Sequence, residues 1–283
     1  MSTTTTITAA EINKLRQTTG AGMMDCRKAL VESGGDFEKA IDYLRKKGQK
    51  VAALRSDREA KEGVIIAKTT ADQKTGLIIT LACETDFVSK NAEFVAVAQS
   101  IMDVAIRNNV KTLDELKHSK LENATISDKI DDQVAKIGEK IQLTRFERID
   151  AEAVASYIHG AYRMGVLVGL NINTPAALEA GREVAMQIAA MNPVAVDQDA
   201  VSKEMIEREK AIVTDQIRND PKMAGKPDEM IEKIATGKLN AFFKENTLTA
   251  QPFVKDPSKT VAEHMKSVDA GLKVTQFKRV QLG

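Results

Sequence analysis

An apolar strand, a threonine-bearing turn and an amphipathic helix occur twice in this chain, in the same order and at a fixed distance. The first copy reads GLIITLACETDFVSKNAEF from Gly76, and the second reads GVLVGLNINTPAALEAGREVAMQIAAM from Gly165, 89 positions downstream. At that offset Thr85 falls on Thr174. A repeated supersecondary unit restricts the fold more than any single element, because each copy must bury its apolar face against a neighbour. In both copies a strand-like run gives way to a helical stripe. The expectation is an α+β fold with two duplicated core subdomains built on antiparallel sheets. The copies differ at the turn, with Asp86 and Phe87 in the first and Pro175 and Ala176 in the second. The shared parts are then scaffold, and the differing turn carries what is special to the first copy.

Around this repeat the remaining elements fall into place. Residues 8–48 read as three short helices. Thr8 and Glu11 form a capping box, Ile12 and Leu15 share a face, and Gly20 stops the first helix. The second runs from Met23 to Val31 and ends at Gly34-Gly35; the third starts at the N-cap Asp36 and is expected to stop at Gly48. The charged stretch Arg55 to Glu62 reads as a helical or flexible linker. GVIIAKTT and the turn ADQKTG pair with the first repeated strand as a hairpin from Gly63. Val201, Met205 and Ile212, then Met230, Ile231, Ile234 and Leu239, flank NDPKMAGKPDE and predict an antiparallel helical hairpin. QPFVKDPSKTV, a short helix near Val261 to Lys266 and the strand KVTQFKRVQL follow. The expected division is a helical bundle at 1–55 with a linker to 62, and a first core subdomain at 63–148. A second core subdomain takes 149–196 and 236–283, with the hairpin inserted at 197–235.

Function classes narrow by exclusion. Lys and Arg number 41 against 40 Asp and Glu, so the basic excess of a phosphate-binding protein is missing, and no direct nucleic-acid contact is expected. With 43% apolar and 29% charged residues the composition is that of an ordinary water-soluble globular chain. No apolar run is long enough to span a membrane, and MSTTTTITAAE lacks a secretory pattern, so the cytoplasm is the expected location. Cys26 and Cys83 fit no metal spacing, and His118, His159 and His264 are scattered, so neither metal nor other cofactor is expected. Nucleotide-cradling loops and nucleophile elbows are absent. Glu84 and Asp86 could work as an acid/base pair or simply be solvated. A binding protein is the more natural class. Phe87 then has two readings: folded back on its own core, or anchored in a partner's pocket as interface hot spots are.

Four stretches resemble the elongation factor Ts family. LRQTTGAGMMDCRKAL, from Leu15 to Leu30, is similar to its first signature, and TDFVSK to its second. QPFVKDPSKTV and the KIG step at Lys136 to Gly138 are further matches, in the family's order and approximate spacing. Two features depart from the pattern. The family commonly has an acidic residue and an asparagine where this chain has Thr80 and Ala82, and its better-known members carry an extra partner-contacting helix past the final strand. That last contact is expected to be missing here.

The resemblance implies a protein that is not an enzyme, an exchange factor for the GTPase elongation factor Tu in its GDP and nucleotide-free forms. It implies a ubiquitin-associated-like helical N-terminus, two similar α+β cores and an inserted hairpin through which two copies could pair. By the same resemblance Thr85, Asp86, Phe87 and Val88 form the contact turn, with Phe87 entering a partner pocket and Asp86 capping or bonding beside it. Ile137 and Gly138 would pack nearby, while Arg16, Met23 and Met24 would place the bundle. His159 and Gly160 would touch a distal partner domain. Met23 and Met24 could instead be bundle core, and His159 a satisfied turn histidine. Two rivals stand beside this reading: an adaptor that binds without exchanging nucleotide, and a hydrolase using Glu84 and Asp86.

Overall fold

Caps and turns place most element boundaries, and the computed structural model describes residues 7–221 and 227–283. Thr8 closes its capping box on Glu11, Asp36 caps through its side chain, and Gly20 ends a helix in the left-handed region. Helices α1 (Ala9–Thr19), α2 (Met23–Glu32) and α3 (Phe37–Leu54) lead into strands β1 (Glu62–Thr69) and β2 (Thr75–Cys83). Next come α4 (Asp86–Ser89), α5 (Ala92–Arg107), α6 (Leu113–His118), the short pair β3 (Lys120–Leu121) and β4 (Ala124–Thr125), α7 (Ile126–Ile137) and β5 (Gln142–Asp150). They are followed by β6 (Ala153–His159), β7 (Met164–Leu170), α8 (Pro175–Met191), α9 (Lys203–Arg218) and α10 (Asp228–Asn246). The last described elements are β8 (Pro252–Phe253), β9 (Asp256–Thr260), α11 (Val261–Val268) and β10 (Val274–Gln281). The central part of the predicted hairpin turn, 222–226, lies outside the described residues.

The fold is α+β with several antiparallel sheets. One has the order β1-β2-β5 and another β10-β7-β6. In each, the second strand of a hairpin is central and a distant strand pairs along its free edge. Phe94, Ala98 and Ile101 of α5 cover one face of the first sheet, against Val64, Ile66, Leu77 and Ile79. Ala177, Ala180, Val184 and Ile188 of α8 cover one face of the second, against Val166 and Val168. The two remaining faces share a cluster that includes Ile65, Ile78, Val154 and Leu167. The core is therefore layered helix, sheet, sheet, helix.

Contacts across the central seam come in reciprocal pairs. The Ile65 amide donates to the Tyr162 carbonyl at 2.8 Å, and the Val154 amide donates to the Gln73 carbonyl at 2.6 Å. A β-carbon on Gly76 would fall 2.6 Å from Val154 Cγ1 and 2.9 Å from Leu167 Cδ2. One on Gly165 would fall 2.7 Å from Ile65 Cγ2 and 3.5 Å from Ile78 Cγ2. The pairs Ile65/Val154, Gln73/Tyr162, Gly76/Gly165 and Ile78/Leu167 all obey the 89-residue offset read from the sequence.

Three expectations need correction. Helix α3 does not stop at Gly48 but runs through it to Leu54. A glycine inside a helix costs about 1 kcal/mol relative to alanine, yet here it lets α3 approach α7. A β-carbon at that position would sit 3.0 Å from the Asp131 carbonyl oxygen and 3.2 Å from Ala135 Cβ. Second, the stretch from Arg55 to Glu62 is neither helical throughout nor loose: it forms turns whose arginines bond to the core. Third, a boundary at 235 cuts α10 in its middle. Val213, Ile217, Ile231 and Ala235 form a cluster at the outer part of the helical hairpin. Phe243, with Leu239 and Phe242 against it, closes a separate cluster with Ala195 and Val201. Val201 precedes α9, and Met205, Ile212 and Met230 are exposed. No helix among the described residues is long and apolar enough to cross a membrane.

Candidate functional site

Strand β2 ends at Cys83, and its chain must turn from sheet to helix within a few residues. A carboxylate from another part of the chain holds that turn. Glu139 Oε2 accepts from the Glu84 amide at 3.1 Å and the Thr85 amide at 3.0 Å, while Oε1 accepts from Thr85 Oγ1 at 2.6 Å. Bonds to a charged acceptor contribute about 1.5–3 kcal/mol each. Glu84 faces the other way. Its carboxylate accepts from the Lys140 amide at 2.6 Å, Arg58 Nη1 at 3.0 Å and Arg55 Nη1 at 3.4 Å. The Lys140 amide, then the Arg58 and Arg55 guanidinium groups, hold the Glu84 pKa below its ordinary value. Lys140 Nζ in turn donates to the carbonyls of Ser56 and Arg58 at 2.5 and 2.7 Å. Beneath the turn, Cys83 Sγ donates to the Thr85 carbonyl at 3.2 Å. Burial first, and the Glu139 charge second, push this thiol to about 12. It is an inert, protonated core thiol at neutral pH.

Phe87 stands on α4 with 85% of its surface exposed, so it is not folded onto its own core. Its neighbour Val88 packs against the core of the first sheet, and Ser89 is buried with Oγ donating to the Asp86 carbonyl at 3.0 Å. Adjacent helical positions point about 100° apart, so fixing Val88 inward turns Phe87 outward. Asp86 does not cap α4. Thr85 occupies the cap position without a side-chain cap bond, and Asp86 pairs with Lys90 at 2.6 Å. That hydrogen bond and charge lower the Asp86 pKa. A carboxylate pair for acid/base work needs one member raised enough to donate a proton. Both Glu84 and Asp86 are shifted downward, which speaks against the hydrolase expectation. Among the described residues no group of three or more His, Cys, Asp or Glu is placed to hold a metal ion.

The KIG step is joined to this turn. Ile137 packs against the first core, and Gly138 ends α7 in the left-handed region, its amide donating to the Val134 carbonyl at 2.8 Å. The chain then delivers Glu139 and Lys140 directly to the turn. Arg16, Met23 and Met24 lie on the bundle, and all three are exposed. Met23 and Met24 expose 53% and 72% of their surface, which excludes the bundle-core reading for both. His159 and Gly160 form the tip of the β6–β7 hairpin; both are exposed, and Tyr157 Oη lies 2.9 Å from His159 Nδ1. Three residues further, Arg163 pairs with Glu62 at 2.7 Å and interacts with the charge of Asp86.

Sequence reasoning missed Glu139, Arg55, Arg58, Lys140 and Arg163. A signal existed for Glu139 and Lys140, which directly follow Lys136 to Gly138. Arg55 and Arg58 sit in a charged run that reads as a linker until the fold brings it back, and Arg163 lies in the turn between β6 and β7.

A family model described as "Elongation factor TS" matches residues 84–283. Elongation factor Ts of Flavobacterium psychrophilum is 50% identical over 278 residues, covering 98% of this chain and 99% of the relative. The protein of the same name from Amoebophilus asiaticus is 49% identical over 278 residues with the same coverage. That of Chlorobaculum tepidum is 42% identical over 288 residues, again covering 98% and 99%.

Proposed function

The chain belongs to the elongation factor Ts family, and from that premise we propose that it promotes GDP release from elongation factor Tu in translation. It does so as a binding partner and makes or breaks no covalent bond itself. The single observation that carries the reading is Phe87, a large ring held almost fully in solvent on a turn clamped from both sides. Exposed rings of this kind anchor in pockets of other proteins.

The mechanism follows from how a GTPase holds its nucleotide, through backbone donors around the phosphates and a Mg²⁺ ion. Phe87 enters a pocket between helices of the partner's nucleotide domain and displaces the segment that holds Mg²⁺ and phosphate. Asp86 and Val88 flank the ring, and Thr85 fixes its approach. Ile137 and Gly138 rest against a partner helix. Arg16, Met23 and Met24 set a ubiquitin-associated-like bundle on the same domain, and His159 with Gly160 touches a distal one. Factor and GDP then weaken each other's binding by one coupling free energy, so the protein takes the GDP form and retains the nucleotide-free form. A thousandfold faster release needs about 4 kcal/mol off the barrier. Burial of one Phe side chain contributes roughly 1.5–3 kcal/mol of that.

The same reading assigns the parts of the chain. Among the described residues the bundle extends to residue 55, 63–148 is one core unit, and 149–196 with the inner half of α10 and the chain beyond it is a second that arose by duplication of the first. The reciprocal seam contacts support this duplication. The hairpin from 197, whose inner half belongs with the second unit, is a surface through which two copies pair, and the protein works in the cytoplasm.

Release of a fluorescent GDP from elongation factor Tu, measured by stopped flow with and without this protein, tests the proposal. Acceleration that rises with protein concentration and saturates is expected. A stable complex with unchanged release would instead establish a non-exchanging adaptor.

A further inference from the structure

Phe87 has nothing of its own to hold it. The ring is exposed, and its direction is inherited from a four-residue helix too short to be stable alone. A helix start is ordinarily fixed by its N-cap side chain, which accepts from an amide in the first turn. Thr85 occupies that position but makes no such bond; its hydroxyl is turned to Glu139, to which it donates. Burial of Val88 turns the ring outward, and the entry into α4 is held from outside, by a carboxylate 54 residues away in sequence that also takes the two backbone amides leading into the helix.

We infer that Glu139 is a positioning residue for exchange, fixing the direction in which Phe87 leaves the surface; this rests on the exchange reading above. Two further observations place Glu139 in a chain of contacts. It follows Gly138 at the end of α7, the helix against which α3 packs at Gly48. Its neighbour Lys140 bonds Glu84 through the backbone and the Ser56 and Arg58 carbonyls through the side chain. The segment that carries the bundle and the turn that carries the ring are thus held by consecutive residues. A purely structural Glu139 would stabilise the fold without altering how a folded, fully bound molecule works. A positioning Glu139 alters the rate at saturation, because a reacting geometry displaced by a fraction of an ångström loses rate rather than affinity.

The experiment compares Glu139→Ala, Glu139→Gln, Phe87→Ala and the double variant Phe87→Ala/Glu139→Ala in the full chain. It measures melting temperature, the GDP release rate at saturating factor, and the half-saturating concentration. Glu139→Ala is expected to slow saturated release about tenfold, with the half-saturating concentration changed less than about threefold. Glu139→Gln keeps an acceptor oxygen and is expected to recover most of that rate. The double variant is expected to be no slower than Phe87→Ala, since aim is immaterial once the ring is gone. Wild-type saturated release by folded Glu139→Ala, or multiplicative loss in the double variant, overturns the inference. Should Glu139→Ala fail to fold, Thr85→Val, which removes only the hydroxyl donor, takes its place in the same cycle. The two readings fail separately: normal release by Phe87→Ala would end the exchange reading at this turn. Slow release by Phe87→Ala with normal release by Glu139→Ala ends only the positioning role.

Discussion

Thr85 and Thr174 occupy corresponding places in the two halves of the core and use their hydroxyls in opposite ways. Thr174 Oγ1 accepts from the Ala177 amide at 3.2 Å as an ordinary N-cap, Pro175 takes the first helical position, and α8 runs on for 17 residues. Thr85 Oγ1 donates to Glu139 instead, α4 lasts four residues, and Asn91 must cap a new helix, α5. One unit thus has a continuous helix that buries its inner face and begins without display. The other interrupts the helix and presents an aromatic ring on the piece set free. The first half gives up the local cap, and a distant carboxylate holds the two residues that lead into its short helix.

The largest effect that would break this comparison comes from the ring itself. Phe87→Ala should slow saturated GDP release by one to two decades, the rate equivalent of losing about 1.5–3 kcal/mol of ring burial. Its melting temperature should hardly move, because an exposed ring contributes little to its own fold. A fall of several degrees with normal release by the folded fraction would place Phe87 among the scaffold residues and erase the contrast with Ala176.

A smaller effect sharpens the role of the clamp. Because the Glu84 pKa is lowered from 4.5 in the folded state, its contribution to stability is full above that value and is lost as pH falls through the lower folded value. Urea melts of the wild type and Glu84→Gln should differ at neutral pH and converge as the pH falls below the ordinary carboxylate range. Parallel curves at every pH would show that the Lys140 and arginine bonds do not hold this carboxylate preferentially ionised.

The smallest effect concerns the hairpin attached to the second half. Replacing residues 208–236 by a short Gly/Ser link keeps the cluster of Ala195, Val201 and Phe243 and removes the outer one. Saturated release should stay within about twofold, and any loss of self-association, read by sedimentation, would assign the exposed Met230 and Ile212 to pairing. A tenfold loss of release would move partner contact into the second half and blur the division of labour.

Much of this fold is legible in the chain because its signals are local. Continuous apolar runs mark β1 and β2, Thr8 and Asp36 cap their helices as their side chains predict, and the 89-residue recurrence anticipates the arrangement of the seam. What escaped depends on what arrives from elsewhere. Gly48 reads as a stop until α7 lies against it. Arg55 and Arg58 read as part of a helical or flexible linker until Glu84 meets them. Phe87 reads as core or as anchor until the burial of Val88 beside it shows that the ring faces outward. Glu139 was the hardest to see, since an isolated glutamate after a helix-ending glycine is unremarkable until its three donors are known.

The reciprocal seam has a mechanical consequence. Each hairpin end is bonded into the opposite sheet, through Val154 to Gln73 and Ile65 to Tyr162, and each close glycine leaves no gap for the other sheet to slide into. Shear between the halves would have to break both bonds and lift both side-chain contacts at once. On the exchange reading, the body behind Phe87 is then a stiff wedge. A wedge that cannot shear stores little of the work of docking, and on that reading the work is left for the partner it enters.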